Sequence, residues 1–171
     1  MPICLAMPPK TPNRPGPLVR RLLRAPTALY HHDLGWLLGR RFMMLTHVGR
    51  RSGKQYHTVL EVIAFDESLR EVVVVAGLGP STDWYRNIQA SPPIQVRIGR
   101  DRFQPVVRHL DEDEAIGMLA DYERRNRWAA PVVRRVLTWL VGWPYDASDG
   151  ARRRLVKQLP LVAFTPAPPC D

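Results

Sequence analysis

The chain has 171 residues, a size typical of a single domain with a substantial buried core. Its hydrophobic content of 45% is ordinary for a globular protein and excludes disorder across the body of the chain. The net charge of +9 favours acidic partners such as phosphates, nucleic acid or an anionic membrane surface. A basic protein without an acidic partner would show the same balance, so charge alone selects no function.

The termini and the cysteines indicate the compartment. Cys4 and Cys170 lie in proline-rich tails without a CxxC motif or a histidine cluster, so we expect neither a disulfide nor a zinc site. Residues 1–17 contain too much proline and too short an apolar run for a signal peptide. No apolar segment approaches the roughly 20 residues that span a bilayer. We therefore expect a cytoplasmic protein.

The composition along the chain predicts one domain between two tails. Residues 1–17 form a proline-rich arm that we expect to be flexible, and residues 167–171 form a similar tail. The domain, residues 18–166, begins with a basic amphipathic helix over Leu18–Tyr30. A second short helix is expected around Asp33–Leu38.

Three strands follow. Phe42–Val48 is apolar and strand-like, and a turn over Gly49–Gly53 leads into a second strand, Tyr56–Phe65. Glu71–Ala76 has an unbroken β-branched run that suits burial on both faces of a sheet.

A helix and a hairpin come next. Ser81 or Thr82 can cap a helix that runs to about Gln89. Ile94–Ile98 alternates apolar and polar residues, and a glycine turn joins it to a further strand, Phe103–Leu110.

The last third of the domain is predicted to be mainly helical. Asp111 and Glu114 make a capping box for a helix through about Arg125. Two further helices and a closing strand are expected at Pro131–Leu140, Ala147–Lys157 and Leu159–Thr165. This order predicts an α+β fold, a β-barrel of about six mostly antiparallel strands with packed helices.

Two segments carry the chemistry. The turn over Gly49–Gly53 is rich in cations, and Asp83–Asn87 opens a helix with two aromatic rings, an arginine and an amide. If the intervening strands pair, the turn and the helix start face one cleft, which suits an elongated anionic cofactor with a flat ring. A hairpin tip kept soluble by its cations is the alternative explanation.

Few residues are suited to proton transfer or covalent chemistry. His47, His57 and Tyr122 are the protonatable candidates, although each would also suit a packing role. Ser52 lies outside a nucleophile-elbow motif, so no catalytic triad is implied. No histidines or cysteines stand at metal-ligand spacing, and we expect no metal site.

These motifs resemble the deazaflavin-dependent nitroreductase family, which uses coenzyme F-420 on the split β-barrel of the flavin and deazaflavin oxidoreductases. The resemblance covers about residues 40–110 and the last strand. It rests on four segments in order: Gly49–Gly53, Val73–Ala76, Trp84–Ala90 and Leu161–Pro166.

The resemblance implies a cytoplasmic oxidoreductase that transfers a hydride from the reduced deazaflavin to a small activated substrate, such as a nitro compound, enone or quinone. It implies cofactor contacts from the cationic turn, the next strand, the loop after the third strand, and the helix start: Arg50, Arg51, Ser52, Tyr56, His57, Thr58, Val59, Leu60, Ala76, Gly77, Leu78, Trp84, Tyr85, Arg86 and Asn87. Tyr122 is the candidate catalytic residue, as the counterpart of a tyrosine-rich substrate segment.

One departure from the family pattern keeps alternatives open. Nitroreductase-type members often carry Ser-Lys-Gly where this chain has Gly77–Gly79. This departure leaves open a non-enzymatic cofactor or lipid carrier. Among enzymes, an FMN-dependent reductase on the same barrel is the alternative.

The basic helices Leu18–Tyr30 and Pro131–Trp143 also suit peripheral contact with an anionic membrane. No nucleic-acid-binding motif accompanies the charge, so nucleic acid is not expected. An open barrel edge would be covered by the chain's own helices or by a second copy in a homodimer.

Overall fold

The computed structural model describes residues 39–168. The predicted proline-rich arm and the two predicted helices at Leu18–Tyr30 and Asp33–Leu38 lie outside the described residues. The end of the predicted tail, residues 169–171, also lies outside them.

Seven antiparallel strands form one sheet in the order β5-β4-β1-β2-β3-β7-β6. Their bounds are β1 Phe42–Val48, β2 Gln55–Asp66, β3 Glu71–Val75, β4 Gln95–Ile98, β5 Asp101–Phe103, β6 Pro105–His109 and β7 Leu161–Pro166. The last strand, β7, lies between β3 and β6. The predicted α+β split barrel with packed helices is confirmed.

The chain itself brings the two edges of the sheet together. β5 lies at one edge and β6 at the other, and only Gln104 separates them in sequence. The sheet must therefore curl into a barrel. The predicted single strand Phe103–Leu110 is wrong, because its residues belong to two strands at opposite edges. Pro105 begins β6, a position where a missing backbone N–H is tolerated.

Side-chain alternation divides the sheet into two apolar faces. The inner face contributes the first core cluster, which includes Met43, Leu45, Leu60, Val62, Val72, Val74, Val96, Ile98, Val162 and Phe164. The outer face contributes a second cluster, with Ile63, Val73, Leu161 and Ala163 beneath helices. The register of β2 against β3 shifts between Val62 and Ala64, which marks a β-bulge in β2.

Four α-helices are described: α1 Asp83–Ala90, α2 Glu112–Arg125, α3 Ala130–Val141 and α4 Asp149–Gln158, with a 3-10 turn at Arg127–Ala129. Trp84, Tyr85 and Ile88 of α1 join the inner cluster, whereas α2, α3 and α4 contribute to the outer one. The Asp111 side chain accepts a hydrogen bond from the Glu114 N–H at 2.8 Å, as the capping box predicts. Within residues 39–168, no helix is both long and apolar enough to cross a membrane.

Candidate functional site

The turn between β1 and β2 is tightly hydrogen-bonded and has little free space. The Gly49 N–H donates to the Lys54 carbonyl oxygen, and the Gly53 N–H donates to the Gly49 carbonyl oxygen, both at 2.8 Å. Gly53 has a φ of +66°, which favours glycine. A Cβ on Gly49 would lie 2.6 Å from Cε2 of Tyr56 and 2.7 Å from Oγ of Ser52. Gly49 is therefore required by close approach, and Gly53 by backbone conformation.

Arg50 joins this turn to the start of α1. Its backbone N–H and its Nη1 both donate to Oδ1 of Asn87, at 3.1 and 3.0 Å. Nη1 also donates to Oδ1 of Asp83 at 2.9 Å. Only 22% of the Arg50 side chain is exposed, against 85% for Asp83. The guanidinium is thus held in one orientation from two sides.

A cleft with a volume of about 410 Å³ opens between the turn, β2 and α1, and we call it the Arg50 cleft. Its lining residues are His47, Gly49, Arg50, Arg51, Ser52, Tyr56, His57, Thr58, Asp83, Trp84 and Asn87. It brings together eight of the fifteen residues expected to contact the cofactor, namely Arg50, Arg51, Ser52, Tyr56, His57, Thr58, Trp84 and Asn87.

His47 lies at the base of this cleft and is only 2% exposed. Its Nδ1 lies 3.1 Å from Nδ2 of Asn87, and its Nε2 lies 3.0 Å from Oγ1 of Thr58. The Tyr56 ring is stacked on it, with centroids 6.1 Å apart. Burial lowers the pKa of His47; the neighbouring His57 lowers this pKa further, and Asp83 opposes both effects. The imidazole is therefore neutral at neutral pH.

The cleft carries excess positive charge. Arg51 and Lys54 are exposed on the turn, and within the described range no carboxylate lies at ion-pair distance from either one. Asp83 is the single acid among the lining residues, and it is already paired with Arg50. Such a donor set fits an anionic group, since guanidinium groups bind phosphate and carboxylate through charge-assisted hydrogen bonds.

Seven of the expected contact residues lie outside the lining. Val59 and Leu60 continue β2, with Leu60 in the inner core. Ala76, Gly77 and Leu78 follow β3. Tyr85 is buried against Trp84 in an edge-to-face contact, with ring centroids 5.7 Å apart, and Arg86 is exposed on α1.

The pairing of β2 changes along its length. Over Gln55–Glu61, the described strands pair β2 on one side only, through β1, and its pairing with β3 begins at Val62, which is opposite Val74.

Tyr122 is not brought to the Arg50 cleft. Its hydroxyl donates to Oε1 of Glu61 at 2.8 Å. Burial, together with the Glu61 carboxylate, raises the pKa of Tyr122 to about 12. The residue lines other depressions, one of them shared with Arg41 and Arg125. This hydrogen bond connects α2 to β2, which is typical of a structural role.

Three lining residues, His47, Gly49 and Asp83, are absent from the contacts expected from the sequence. His47 was recognised there only as protonatable. Alternation along β1 puts it on the same face as Leu45, and the register pairs it with Tyr56. The position of His47 in the cleft follows from the register between β1 and β2, which the local sequence pattern does not specify.

This architecture is that of a split-barrel protein with a cation-rich cleft beside its first hairpin. A family model for F420H(2)-dependent quinone reductase matches residues 22–135. Rv3178 of Mycobacterium tuberculosis (strain ATCC 25618 / H37Rv), assigned by name to these reductases, is 31% identical over 90 residues, which are 53% of this chain and 68% of the relative.

Two solved structures are also similar. An F420-H2 dependent reductase, FDR-A, has 21% identity and a TM-score of 0.42, over 74% of this chain and 95% of that one. A pyridoxamine 5'-phosphate oxidase-related, FMN binding protein from Nostoc punctiforme PCC 73102 has 15% identity and a TM-score of 0.45, over 89% of this chain and 81% of that one.

The chain belongs to the F420H(2)-dependent quinone reductase family. It is therefore an oxidoreductase whose cofactor is coenzyme F-420. The deazaflavin-reductase resemblance is confirmed at this level, and the FMN alternative is not favoured. The family is one of enzymes, so the non-enzymatic carrier also gains no support.

Proposed function

We propose that this reductase binds coenzyme F-420 in the Arg50 cleft and reduces a small activated acceptor of the quinone type. The observation that carries the proposal is an open cleft lined jointly by the cationic turn and by Trp84 and Asn87 of α1. The family description favours a quinone over the nitro and enone acceptors that the sequence also suggests.

The turn would hold the anionic part of the cofactor. Arg51 and Lys54 supply charge, and the Ser52 hydroxyl, 3.1 Å from the Tyr56 hydroxyl, lies between them. Arg50 is already oriented by Asn87, so less conformational entropy would be lost on binding than with a mobile side chain. These groups would bind phosphate or carboxylate oxygens through charge-assisted hydrogen bonds.

The remaining contacts would come from β2 and from the loop after β3. Tyr56, His57 and Thr58 line the cleft, and the described strands pair this part of β2 on one side only, so its other side would be open to the cofactor and to Ala76–Leu78. Backbone groups of both segments would approach the flat ring from its edges. When bound, the reduced cofactor supplies the hydride, and the protein contributes binding and orientation.

The accompanying proton would come from solvent. His47 is neutral, and both of its ring nitrogens already lie at hydrogen-bond distance from protein groups. Tyr122 donates to Glu61 away from the cleft. The catalytic role suggested for Tyr122 from the sequence therefore remains a prediction that turnover of a Tyr122 variant would test.

A fluorescence titration with oxidised coenzyme F-420 tests the binding site. We expect Arg51→Ala to weaken binding on the order of tenfold, the scale of one charge-assisted hydrogen bond, with an unchanged melting temperature. Arg135→Ala is the matched control, since it removes the same charge from an exposed position on α3. Equal affinity of Arg51→Ala and wild type would refute the role of the turn.

The acceptor is tested by following the oxidation of reduced coenzyme F-420 with a soluble quinone, a nitro compound and an enone. We expect the quinone to give the highest kcat/KM. Parallel titration with FMN should show no saturable binding. Tight deazaflavin binding without turnover of any acceptor would contradict the proposed substrate class.

Partners and location stay predictions. Trp128, Val132 and Val136 are exposed at 73%, 66% and 52% along the 3-10 turn and α3. This surface is where we expect contact with an anionic membrane or with a second copy of the chain. Sedimentation with vesicles containing anionic lipid would test the first, and light scattering the second. A cytoplasmic location is expected from the sequence alone.

A further inference from the structure

Four side chains that line the Arg50 cleft are connected in series by hydrogen bonds. Oγ1 of Thr58 lies 3.0 Å from Nε2 of His47, and Nδ1 of His47 lies 3.1 Å from Nδ2 of Asn87. Oδ1 of Asn87 accepts from the backbone N–H and Nη1 of Arg50, at 3.1 and 3.0 Å. The series begins within β2 and ends at the cation of the turn.

The direction of each hydrogen bond follows from the chemistry at the Arg50 end. Arginine has donors only, so the Asn87 oxygen must face Arg50 and the Asn87 amide NH₂ must face His47. Nδ1 of His47 therefore accepts, which places the proton of a neutral imidazole on Nε2. That N–H then donates to Oγ1 of Thr58. A single tautomer satisfies the whole series.

We propose that His47, as the neutral Nε2–H tautomer, is a positioning residue that fixes Asn87 and thereby holds Arg50 ready for an anionic ligand in the cleft. This inference rests on the proposed function, because it assigns the ligand of Arg50 to coenzyme F-420. His47 contacts Asn87 and acts on Arg50 through it. It is not assigned a role in proton transfer.

Protonation of His47 would break this arrangement. Nδ1 would become a donor facing another donor, the Asn87 NH₂, and the Asn87 amide could satisfy it only by turning its oxygen away from Arg50. The other groups that face His47 are the Tyr56 ring, the titratable His57 and the Asp83 carboxylate. Acid would thus remove the Asn87 acceptor from Arg50, leaving its guanidinium held by Asp83 alone, without a change in the charge of Arg50.

The proposal predicts a specific pH dependence of cofactor affinity. Because the pKa of His47 is lowered, the neutral form persists to below about pH 6.5, the ordinary value, and affinity should fall only under more acidic conditions. The loss should be on the order of tenfold, the scale of one hydrogen bond to a charged group. His57→Gln removes the second imidazole, and the acid-dependent loss should persist in that variant.

Two substitutions separate the hydrogen bond from the bulk of the side chain. In His47→Asn, the shorter amide oxygen can still accept from Asn87, so affinity should stay within about threefold of wild type and the acid-dependent loss should disappear. His47→Leu fills the site without an acceptor, so affinity should fall about tenfold at neutral pH. If His47→Leu has wild-type affinity and an unchanged pH profile, the positioning role is overturned.

Nitrogen NMR of the ligand-free wild-type protein provides the independent test. We expect the His47 ring to show a protonated Nε2 and an unprotonated Nδ1 at neutral pH, and a proton on Nδ1 would overturn the inference. This measurement needs neither variant folding nor cofactor binding. The tautomer could be as expected while coenzyme F-420 binds elsewhere or not at all. In that case the proposed function fails, and the assignment of His47 toward that cofactor fails with it. The series of hydrogen bonds would still stand.

Discussion

Replacing Gly49 by alanine should impair cofactor binding as well as folding. The added Cβ would lie 2.6 Å from Cε2 of Tyr56 and 2.7 Å from Oγ of Ser52, whereas favourable carbon contacts lie near 3.5–4.0 Å. Both neighbours must therefore move by about 1 Å. Tyr56 is 46% exposed, so its ring can swing into solvent.

The size of each effect follows from this freedom of movement. Because the Tyr56 ring can move outward, the loss of stability should be near the low end for overpacking, about 1 kcal/mol. This corresponds to a fall in Tm of about 2–4 °C. The displaced ring would lose its stacking on His47 and its hydroxyl contact with Ser52. It would also move away from the proposed position of coenzyme F-420, and loss of an aromatic contact with the cofactor, worth about 0.5–1.5 kcal/mol, corresponds to a reduction in affinity of about twofold to tenfold.

Fluorescence titration and thermal unfolding, with two further variants, separate these effects. Gly142→Ala adds the same atom at a φ of +76° at the end of α3, with no atom within 4 Å of the new Cβ. It should lower Tm through backbone strain and leave the affinity unchanged. In a Tyr56→Ala background, Gly49→Ala should cause a smaller further loss of affinity, because only the close approach to Ser52 remains. Wild-type affinity in the single Gly49→Ala variant would refute the reasoning.

Three other substitutions probe charge, packing and a turn. Asp83→Asn should tighten cofactor binding by about threefold, because it removes a carboxylate beside Arg50, with little change in Tm; weaker binding would mean that this carboxylate is needed to orient Arg50. Tyr122→Phe should lower stability by about 1 kcal/mol through the lost bond to Glu61 and leave kcat near wild type. A large fall in kcat at unchanged Tm would instead support catalysis. Asp66 accepts three hydrogen bonds that hold its pKa below the ordinary 3.8, so Asp66→Ala should lower Tm at pH 7. That difference should vanish as pH falls through the lowered pKa, where the wild-type carboxylate is protonated too.

Local signals were sufficient to predict most elements of the fold. The β-branched run of β3 and the capping box at Asp111 gave bounds within a residue of those observed. The division of Phe103–Leu110 could not be predicted in this way. β6 pairs with β7, whose residues come more than 50 positions later, and nothing in the local pattern identifies that partner. Gln104 therefore marks a break set by tertiary pairing.

The same distinction applies to the candidate site. Residue chemistry and order were enough to predict that Arg50, Arg51 and Asn87 would converge, and the structure brings them together. His47 and Asp83 depend on register and on the approach of α1 to the hairpin. Their importance arises from pairings across the fold, such as that of His47 with Tyr56 and that of Asp83 with Arg50. Single-residue chemistry carries no such information.

The position of β7 also has a consequence for synthesis of the protein. β7 is the last strand described, yet it lies between β3 and β6. Until Leu161–Pro166 leaves the ribosome, β3 presents an open edge and β6 has no partner strand in the described sheet. Barrel closure must therefore follow translation of nearly the whole described chain. Its nascent form should need protection from strand-edge aggregation, and truncation before β7 should abolish the barrel rather than shorten it.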